Sequence, residues 1–539
     1  MIKKFIDRIL GTSLGKKTAA NKAKAGAVAL GKRVDIAVAE HGIDPQLVDE
    51  RGVRVVKTLQ EGGHEAYIVG GAVRDLLVGR RPKDFDVATN ATPEHVKALF
   101  RRAFIIGRRF RIVHVIYGRG RDHEVVEVST FRAYLDNAAA EAVEGNEKTS
   151  KADLAGKSHA VDASGRVLRD NVWGPQIEDA ARRDFTVNAM YYDPTTQLVV
   201  DYHGGFKDVR KKLLRMIGDP ETRYREDPVR ILRAVRFAAK LGFTIDPASQ
   251  TPIVRMAKLL ENVPQSRMFD EMVKLLQTGH ALASLAELRK QGLDRGVFPI
   301  LDVLLDLGPG GDAGASPREK FVHLALADTD RRVEEGRAVA PSFLLACLLW
   351  HEVLDRWSAA RAAGEPPFPA LQAAIDAVFD ARIGDISGRG KLAADMRETW
   401  MMQPRFERRV GSTPYSLIDQ PRYRAAYDFL RLRADAGEIE VELADWWEDF
   451  ALGSDDEREA LVAAAREASH HHRRSTASNP EPRRAATVQS GSHDEAVPAP
   501  DAAAGAPRGD APPRKRRRRR RKPGGDAGST QSASPVTDD

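Results

Sequence analysis

The stretch that most constrains this chain runs from Tyr67 to Asp86 and reads YIVGGAVRDLLVGRRPKDFD. A short apolar run, Ala66 to Val69, has the composition of a β-strand. The pair Gly70-Gly71 follows, then a segment of helical character over 72–77, then a second strand-like piece carrying Asp84 and Asp86. Glycine lets a backbone approach a ligand closely, and a helix start directs unpaired N–H groups outward, a combination suited to a triphosphate. Side chains two apart on a strand point the same way, so both carboxylates are expected to converge where a hard divalent cation could be held against phosphates. Neither a lone GG nor a lone DxD identifies a function. Their spacing within twenty residues makes them worth reading together.

Further candidates follow in chain order. HEVVEVSTFR reads as a strand over 124–130 with Val125, Glu127 and Ser129 on one face. Glu127 is either a third acidic group beside the Asp84/Asp86 pair or the partner of a basic residue such as Arg132; a carboxylate in a buried strand needs one or the other. RRDFTVNAM closes a helical segment over 177–183, with a strand expected over 186–192. REDPVRILRAVRFAAKLGF is an amphipathic helical stretch with Arg230, Arg233 and Arg236 on one basic side and Gly242 as its stop.

The order GGAVRD, DFD, RRDFTVNA and EDxxR resembles the class II branch of the DNA polymerase β-like nucleotidyltransferases, which holds bacterial poly(A) polymerases and CCA-adding enzymes. The resemblance covers roughly residues 45–450 and is strongest over 66–243. It implies an α+β fold: a polymerase-β-like nucleotidyltransferase head, a small mixed sheet with helices, followed by an all-α neck and body. It implies Asp84 and Asp86 as catalytic metal ligands and Asp184 as a further acidic catalytic or ribose-contacting group. Gly70, Gly71, Arg74, Arg182, Arg183 and Asn188 fall at the nucleotide, and Asp227 and Arg230 at the base, where protein contacts replace a template. FIIGRRFRIVHV, with Arg108, Arg109 and His114, is similar to the [LIV][LIV]GRRF-x-x-x-H pattern that separates poly(A) polymerases from their close relatives, and it implies Arg108 and Arg109 as further nucleotide-binding residues near the triphosphate. The activity implied is addition of AMP from ATP to RNA 3′ ends with release of pyrophosphate, the polyadenylation that promotes mRNA turnover. Two Mg²⁺ ions, with Mn²⁺ as a substitute, and ATP as substrate come with it. A CCA-adding tRNA nucleotidyltransferase is the alternative, and a catalytically silent RNA-binding protein on the same scaffold is a third reading.

The rest of the chain sets bounds. At 539 residues there is room for several domains. Expected divisions are a flexible leader at 1–45, the head at 46–218, a helical neck and body at 219–315, a C-terminal helical RNA-binding region at 316–465 and a disordered basic tail at 466–539. A polar stretch over 135–171 reads as an exposed loop. The single cysteine, Cys347, lies in the apolar run FLLACLLW, excludes disulfides and fits a reducing, cytoplasmic compartment. No apolar run approaches membrane-spanning length, and MIKKFIDRILG reads as a frayed amphipathic terminus. HEVLD at 351–355 lacks the second histidine of a zinc protease, and His470–His472 and His493-Asp494 lack partners that would make them sites. Trp446 and Trp447 read as packing residues.

Charge is concentrated at one end. Of 84 Lys plus Arg against 77 Asp plus Glu, residues 471–539 hold 14 against 8, so the remainder is near neutral. Nine consecutive basic residues at 514–522 cannot pack and must stay solvated or meet a polyanion, for which RNA phosphate is the expected partner.

Overall fold

The computed structural model describes residues 30–477 except 108–110, 119–122, 135–140, 143–158, 162–166, 171, 294, 299, 302–315 and 384–389. Arg108, Arg109, the basic run at 514–522, His493-Asp494 and most of the expected leader lie outside the described residues. The fold described here belongs to the first of two units, which ends at Arg474.

The head is built on eight strands: β1 (Val34–Ile36), β2 (Ala66–Val69), β3 (Asp86–Thr89), β4 (Ala103–Ile106), β5 (Ile112–Tyr117), β6 (Glu124–Thr130), β7 (Met190–Asp193) and β8 (Leu198–Asp201). Their order in the sheet is β1-β8-β7-β2-β3-β6-β5-β4, with β3 and β6 parallel and the other neighbours antiparallel. One face packs on helices α1 (Glu50–Glu61), α2 (Gly71–Leu77) and α3 (Pro93–Leu99). Ile68, Val87, Val113, Val115, Val126 and Val128 point into that core and are buried. The opposite face divides. Over β2, β3, β7 and β8 it is covered by Tyr67, Phe131, Tyr191 and Tyr202 with Ala180 of α4 (Gln176–Arg182), whereas over β4–β6 it carries exposed Phe104, Ile106 and Val125.

Local chemistry accounts for the boundaries. Asp49 caps α1 by accepting from Arg51 N, and Thr92 caps α3 by accepting from His95 N, with Pro93 at the first helical position. Four sequence expectations are corrected. Asp84 precedes β3 rather than lying in it, because the partner strand β2 ends at Val69, opposite Asp86, and the chain turns away at Gly70. Thr186–Asn188 is a 3₁₀ turn, and β7 begins only at Met190. The expected leader contributes an edge strand, β1, paired with β8. The polar 135–171 stretch contains three short strands, Glu141–Ala142, His159–Val161 and Val167–Asp170, in a separate sheet.

After the sheet the described chain is almost wholly helical. α5 (Pro220–Glu226) and α6 (Val229–Leu241) are separated at Asp227-Pro228, and α6 stops at Gly242 with φ 66°. α7 (Gln265–Leu276) and α8 (Ala281–Lys290) pack against α6. Farther on, α9 (Pro317–Glu334), α10 (Pro341–Ala362), α11 (Pro367–Val378), α12 (Gly390–Phe406), α13 (Tyr423–Asp435) and α14 (Val441–Leu452) bury Trp350, Trp400 and Trp447. Cys347 is fully buried in α10, and neighbouring His351 pairs with Glu438. No described helix is long and apolar enough to cross a membrane.

Candidate active site

The glycine bend ends β2. Gly70 holds φ 71° and ψ −128°, a conformation that L side chains rarely adopt, and its N–H donates to the Met190 carbonyl at 3.3 Å. A Cβ there would also stand 3.3 Å from Arg183 Nη1. One turn into α2, Arg74 faces inward and is only 3% exposed. Its Nη1 donates to Asn188 Oδ1 at 2.6 Å, and its Nη2 pairs with Asp75 at 2.7 Å. Arg183 follows α4 and is clamped by Asp179, whose Oδ2 accepts from Nη2 at 3.1 Å and from the Tyr191 hydroxyl at 2.8 Å. Burial alone would raise the Asp179 pKa, but Arg183 and Arg182 outweigh it and hold the carboxylate ionised. The result is a guanidinium fixed beside the glycine bend.

The acidic side lies across β3. Phe85 is buried while Asp84 and Asp86 on either side of it are exposed, and the Asp84 charge acts on Asp86. Among the described residues neither forms an ion pair or a side-chain hydrogen bond. Burial against the cleft wall, with like charge from Glu127 and Asp84, pushes the Asp86 carboxyl up to about 6, against the opposing pull of Arg183. Its outer surface nevertheless remains open to solvent. Glu127 sits opposite His114 in the β5–β6 ladder, Oε1 to Nε2 at 3.3 Å, and is half exposed. Its basic neighbour is thus His114 rather than Arg132, and it also crowds Asp86.

Asp184 has a different environment. Its Oδ2 accepts from Arg233 Nε and Nη2 at 2.8 and 2.6 Å, and its Oδ1 from Phe185 N at 2.8 Å and Asn188 Nδ2 at 3.2 Å. Burial would raise its pKa, but Arg233 and these donors hold it at about 2. With four donors it is an anchor that orients Arg233 and Asn188.

The neck closes the cleft. Asp227 pairs with Arg267 of α7 at 3.1 Å, and Arg230 Nη1 donates to Glu226 Oε2 at 2.9 Å and to the Arg223 carbonyl at 2.9 Å. Arg223, 2% exposed, donates through Nη2 to the carbonyls of Arg182 (2.7 Å) and Arg183 (2.6 Å) and through Nη1 to Glu226 Oε2 (2.7 Å). Burial, then repulsion from Arg230, lowers its pKa to about 10. The guanidinium groups of Arg74, Arg233 and Arg236 approach the Phe237 ring within 5.5, 5.2 and 4.5 Å.

Together these residues line a cleft of about 460 Å³ containing Gly70, Gly71, Arg74, Asp86, Arg183, Asp184, Asn188, Asp227 and Arg230. Asp84 and Glu127 lie beside it through their charge on Asp86, while Arg182 is outside the lining and faces Asp179 at 3.9 Å. Sequence reasoning named Arg233 only as part of a basic helical side and did not name Phe237, Arg267 or Glu271, which also line it. Their signal was present only in part, as a basic helical side and an unremarkable acidic residue.

Among the described residues no cluster of three or more His, Cys, Asp or Glu forms a preassembled metal cage. The acidic pair still fits a hard dication. Asp86 carries uncompensated negative charge that such an ion would relieve, and Mg²⁺ is ordinarily held by one or two carboxylates plus substrate phosphates.

Comparison with known proteins bears on the family. Three family profiles match, described as "Poly A polymerase head domain" over 66–215, "Probable RNA and SrmB- binding site of polymerase A" over 242–305 and "Polymerase A arginine-rich C-terminus" over 363–523. Poly(A) polymerase I of Salmonella typhi is 39% identical over 425 residues, 78% of this chain and 86% of that protein. The chain belongs to the poly(A) polymerase family. The Haemophilus influenzae poly(A) polymerase I is likewise 39% identical, over 79% of this chain and 90% of its own length. The CCA-adding enzyme of Geobacillus stearothermophilus is 35% identical but over only 46% of this chain and 54% of its own. Among solved structures, the Bacillus stearothermophilus CCA-adding enzyme in complex with CTP aligns over 78% of this poly(A) polymerase family member and 98% of its own chain, at 23% identity and a TM-score of 0.41.

Proposed function

We propose that this chain is a polynucleotide adenylyltransferase that adds AMP from ATP to RNA 3′ ends without a template. The observation that carries this reading is the meeting of the Gly70 bend, fixed guanidinium groups and Asp86 at one cleft, with Asp84 beside it, in a chain whose poly(A) polymerase relatives match it over 78–79% of its length. The sequence match to the CCA-adding enzyme of Geobacillus stearothermophilus covers only about half of that protein, which supports the adenylating reading over the CCA-adding one.

The ATP triphosphate lies against the Gly70-Gly71 backbone, with Arg74 and Arg183 opposing its charge. Two Mg²⁺ ions held by Asp84 and Asp86, or Mn²⁺ in their place, would supply activation of the RNA 3′-hydroxyl and neutralisation of the leaving pyrophosphate. The hydroxyl oxygen bonds to the α-phosphorus as the bond to the β-phosphate oxygen breaks, the hydroxyl proton is lost, and pyrophosphate leaves. Asp184 keeps Arg233 and Asn188 in place through its four hydrogen bonds. Glu127, near Asp86, is the candidate third carboxylate.

Adenine choice falls to Asp227 and Arg230, each restrained by a partner: Arg267 for the first and Glu226 for the second. A polar set fixed in this way discriminates because the wrong base leaves its groups unpaired. The head supplies chemistry and the neck selects the base, while the helical body and the basic tail hold RNA. One buried thiol fits a cytoplasmic setting.

The test offers the purified protein each nucleotide separately with a generic RNA and with a tRNA lacking its CCA end. Successive AMP addition to the generic RNA is expected. Addition of C and A confined to the truncated tRNA would replace this reading with the CCA-adding one, and RNA binding without transfer would replace it with the silent-scaffold one.

A further inference from the structure

The open half of the sheet runs straight out of the acidic site. Parallel pairing of β3 with β6 aligns Val87 with Val128, which places Asp86 and Glu127 in adjoining positions on the other face. The antiparallel ladders continue that row from Glu127 to His114 and from His114 to Phe104. Phe104, Ile106 and Val125 are 55%, 42% and 39% exposed on this face. The alternate residues Ala103, Val113, Val115, Val126 and Val128 are buried in the core beneath. An aromatic ring so exposed on a rigid strand is a stacking surface without a protein partner among the described residues.

We infer that this face is the platform for the RNA primer, with the penultimate base stacked on Phe104 and the terminal nucleotide crossing His114 and Glu127 to bring its 3′-hydroxyl to Asp86. The inference rests on the reading of Asp84 and Asp86 as the catalytic pair. Occupancy by RNA is argued from where the face lies and from its chemistry. The guanidinium-lined cleft lies on the opposite flank of β3, against β2 and β7, and is where the proposed function seats the triphosphate and base of ATP. The attacking hydroxyl must therefore arrive from another side, and the β6-β5-β4 face is continuous with Asp86. β4 stands three strand spacings from β3, about 14 Å. Exposed Arg101 and Arg102 at the start of β4 supply positive charge for phosphate beside a flat apolar surface for bases. Stacking on an aromatic ring is sequence-tolerant, since every base has a π-face, which suits an enzyme that extends any 3′ end.

The experiment uses the full chain and an RNA carrying 2-aminopurine at its penultimate position. Binding without ATP should quench its fluorescence in the wild type. Phe104→Ala should abolish the quenching and raise KM for RNA about tenfold, as expected for loss of one stacked base, with KM for ATP unchanged. Phe104→Trp should restore both readouts, which separates stacking from any loss of folding. Quenching retained in Phe104→Ala, or a KM for RNA that does not move, overturns the platform. Asp86→Asn serves as the separate control: wild-type turnover in that variant would overturn the catalytic pair, whereas the quenching assay reads the platform without any turnover.

Discussion

Asp86 and Asp184 are both aspartates of the cleft, yet their surroundings drive them in opposite directions. Asp86 is raised to about 6 by burial and by like charge, so the stability it contributes is present below the ordinary aspartate range and is lost as pH rises through about 6. A bound dication removes that cost. Mg²⁺ should therefore raise Tm more at pH 7.5 than at pH 5, and Asp86→Asn should remove the difference together with transferase activity; thermal melts at both pH values check this. Asp184 is depressed to about 2, so its contribution is present above the unfolded aspartate range and lost as pH falls through about 2. Asp184→Asn should cost about 2 kcal/mol, below the figure for a fully buried pair because Arg233 remains one-third exposed. Denaturant titration at neutral pH measures it. The sequence exposed both aspartates through their motifs. It could not show that Arg233, on a helix face indistinguishable from a solvated basic one, turns inward to Asp184, because that contact spans 49 residues.

At the scale of elements, the site depends on how the α5–α6 pair is joined to the turn after α4. Arg223 makes that joint, binding the carbonyls of Arg182 and Arg183 with one nitrogen and Glu226 with another, while Glu226 in turn holds Arg230. Removing it leaves two carbonyls and a carboxylate short of donors. Arg223→Met should cost about 3 kcal/mol and loosen Arg230, so misincorporation of other nucleotides should rise relative to AMP; unfolding curves and competition between nucleotides measure the two effects. Element existence was well marked in the sequence: β6 spans Glu124–Thr130 as its alternation indicates, and α6 ends at Gly242. The failures came where local signals compete. Thr186–Val187 looks like a strand start, but Thr186 instead hydrogen-bonds Asp208, and the segment tightens into a 3₁₀ turn. Pro228 divides what reads as one neck helix, and the division puts Asp227 at the cleft.

For the whole molecule, the distribution of charge separates two tasks. The cleft spends most of its arginines on internal carboxylates, so general attraction for RNA must come from elsewhere, and the run at 514–522 is the densest source in the chain. Deleting it should weaken RNA binding and flatten the dependence of log K on log salt, with adenine selectivity unchanged; binding isotherms across a salt series decide this, and an unchanged slope would remove the tail from the RNA path. The head that performs the chemistry was readable because a glycine bend and two alternating carboxylates are local patterns. The cleft's second wall was less so, since Arg267 and Glu271 meet Asp227 and Arg236 only through packing of α7 on α6. The central claim is that Asp84 and Asp86 converge on the metal beside the Gly70 bend. A crystal structure with Mg²⁺ and a non-hydrolysable ATP analogue tests it most directly. Carboxylate oxygens of both residues about 2.1 Å from a metal that also binds the analogue's phosphates is the predicted result; a triphosphate seated at the bend with its metal held by other residues would contradict it.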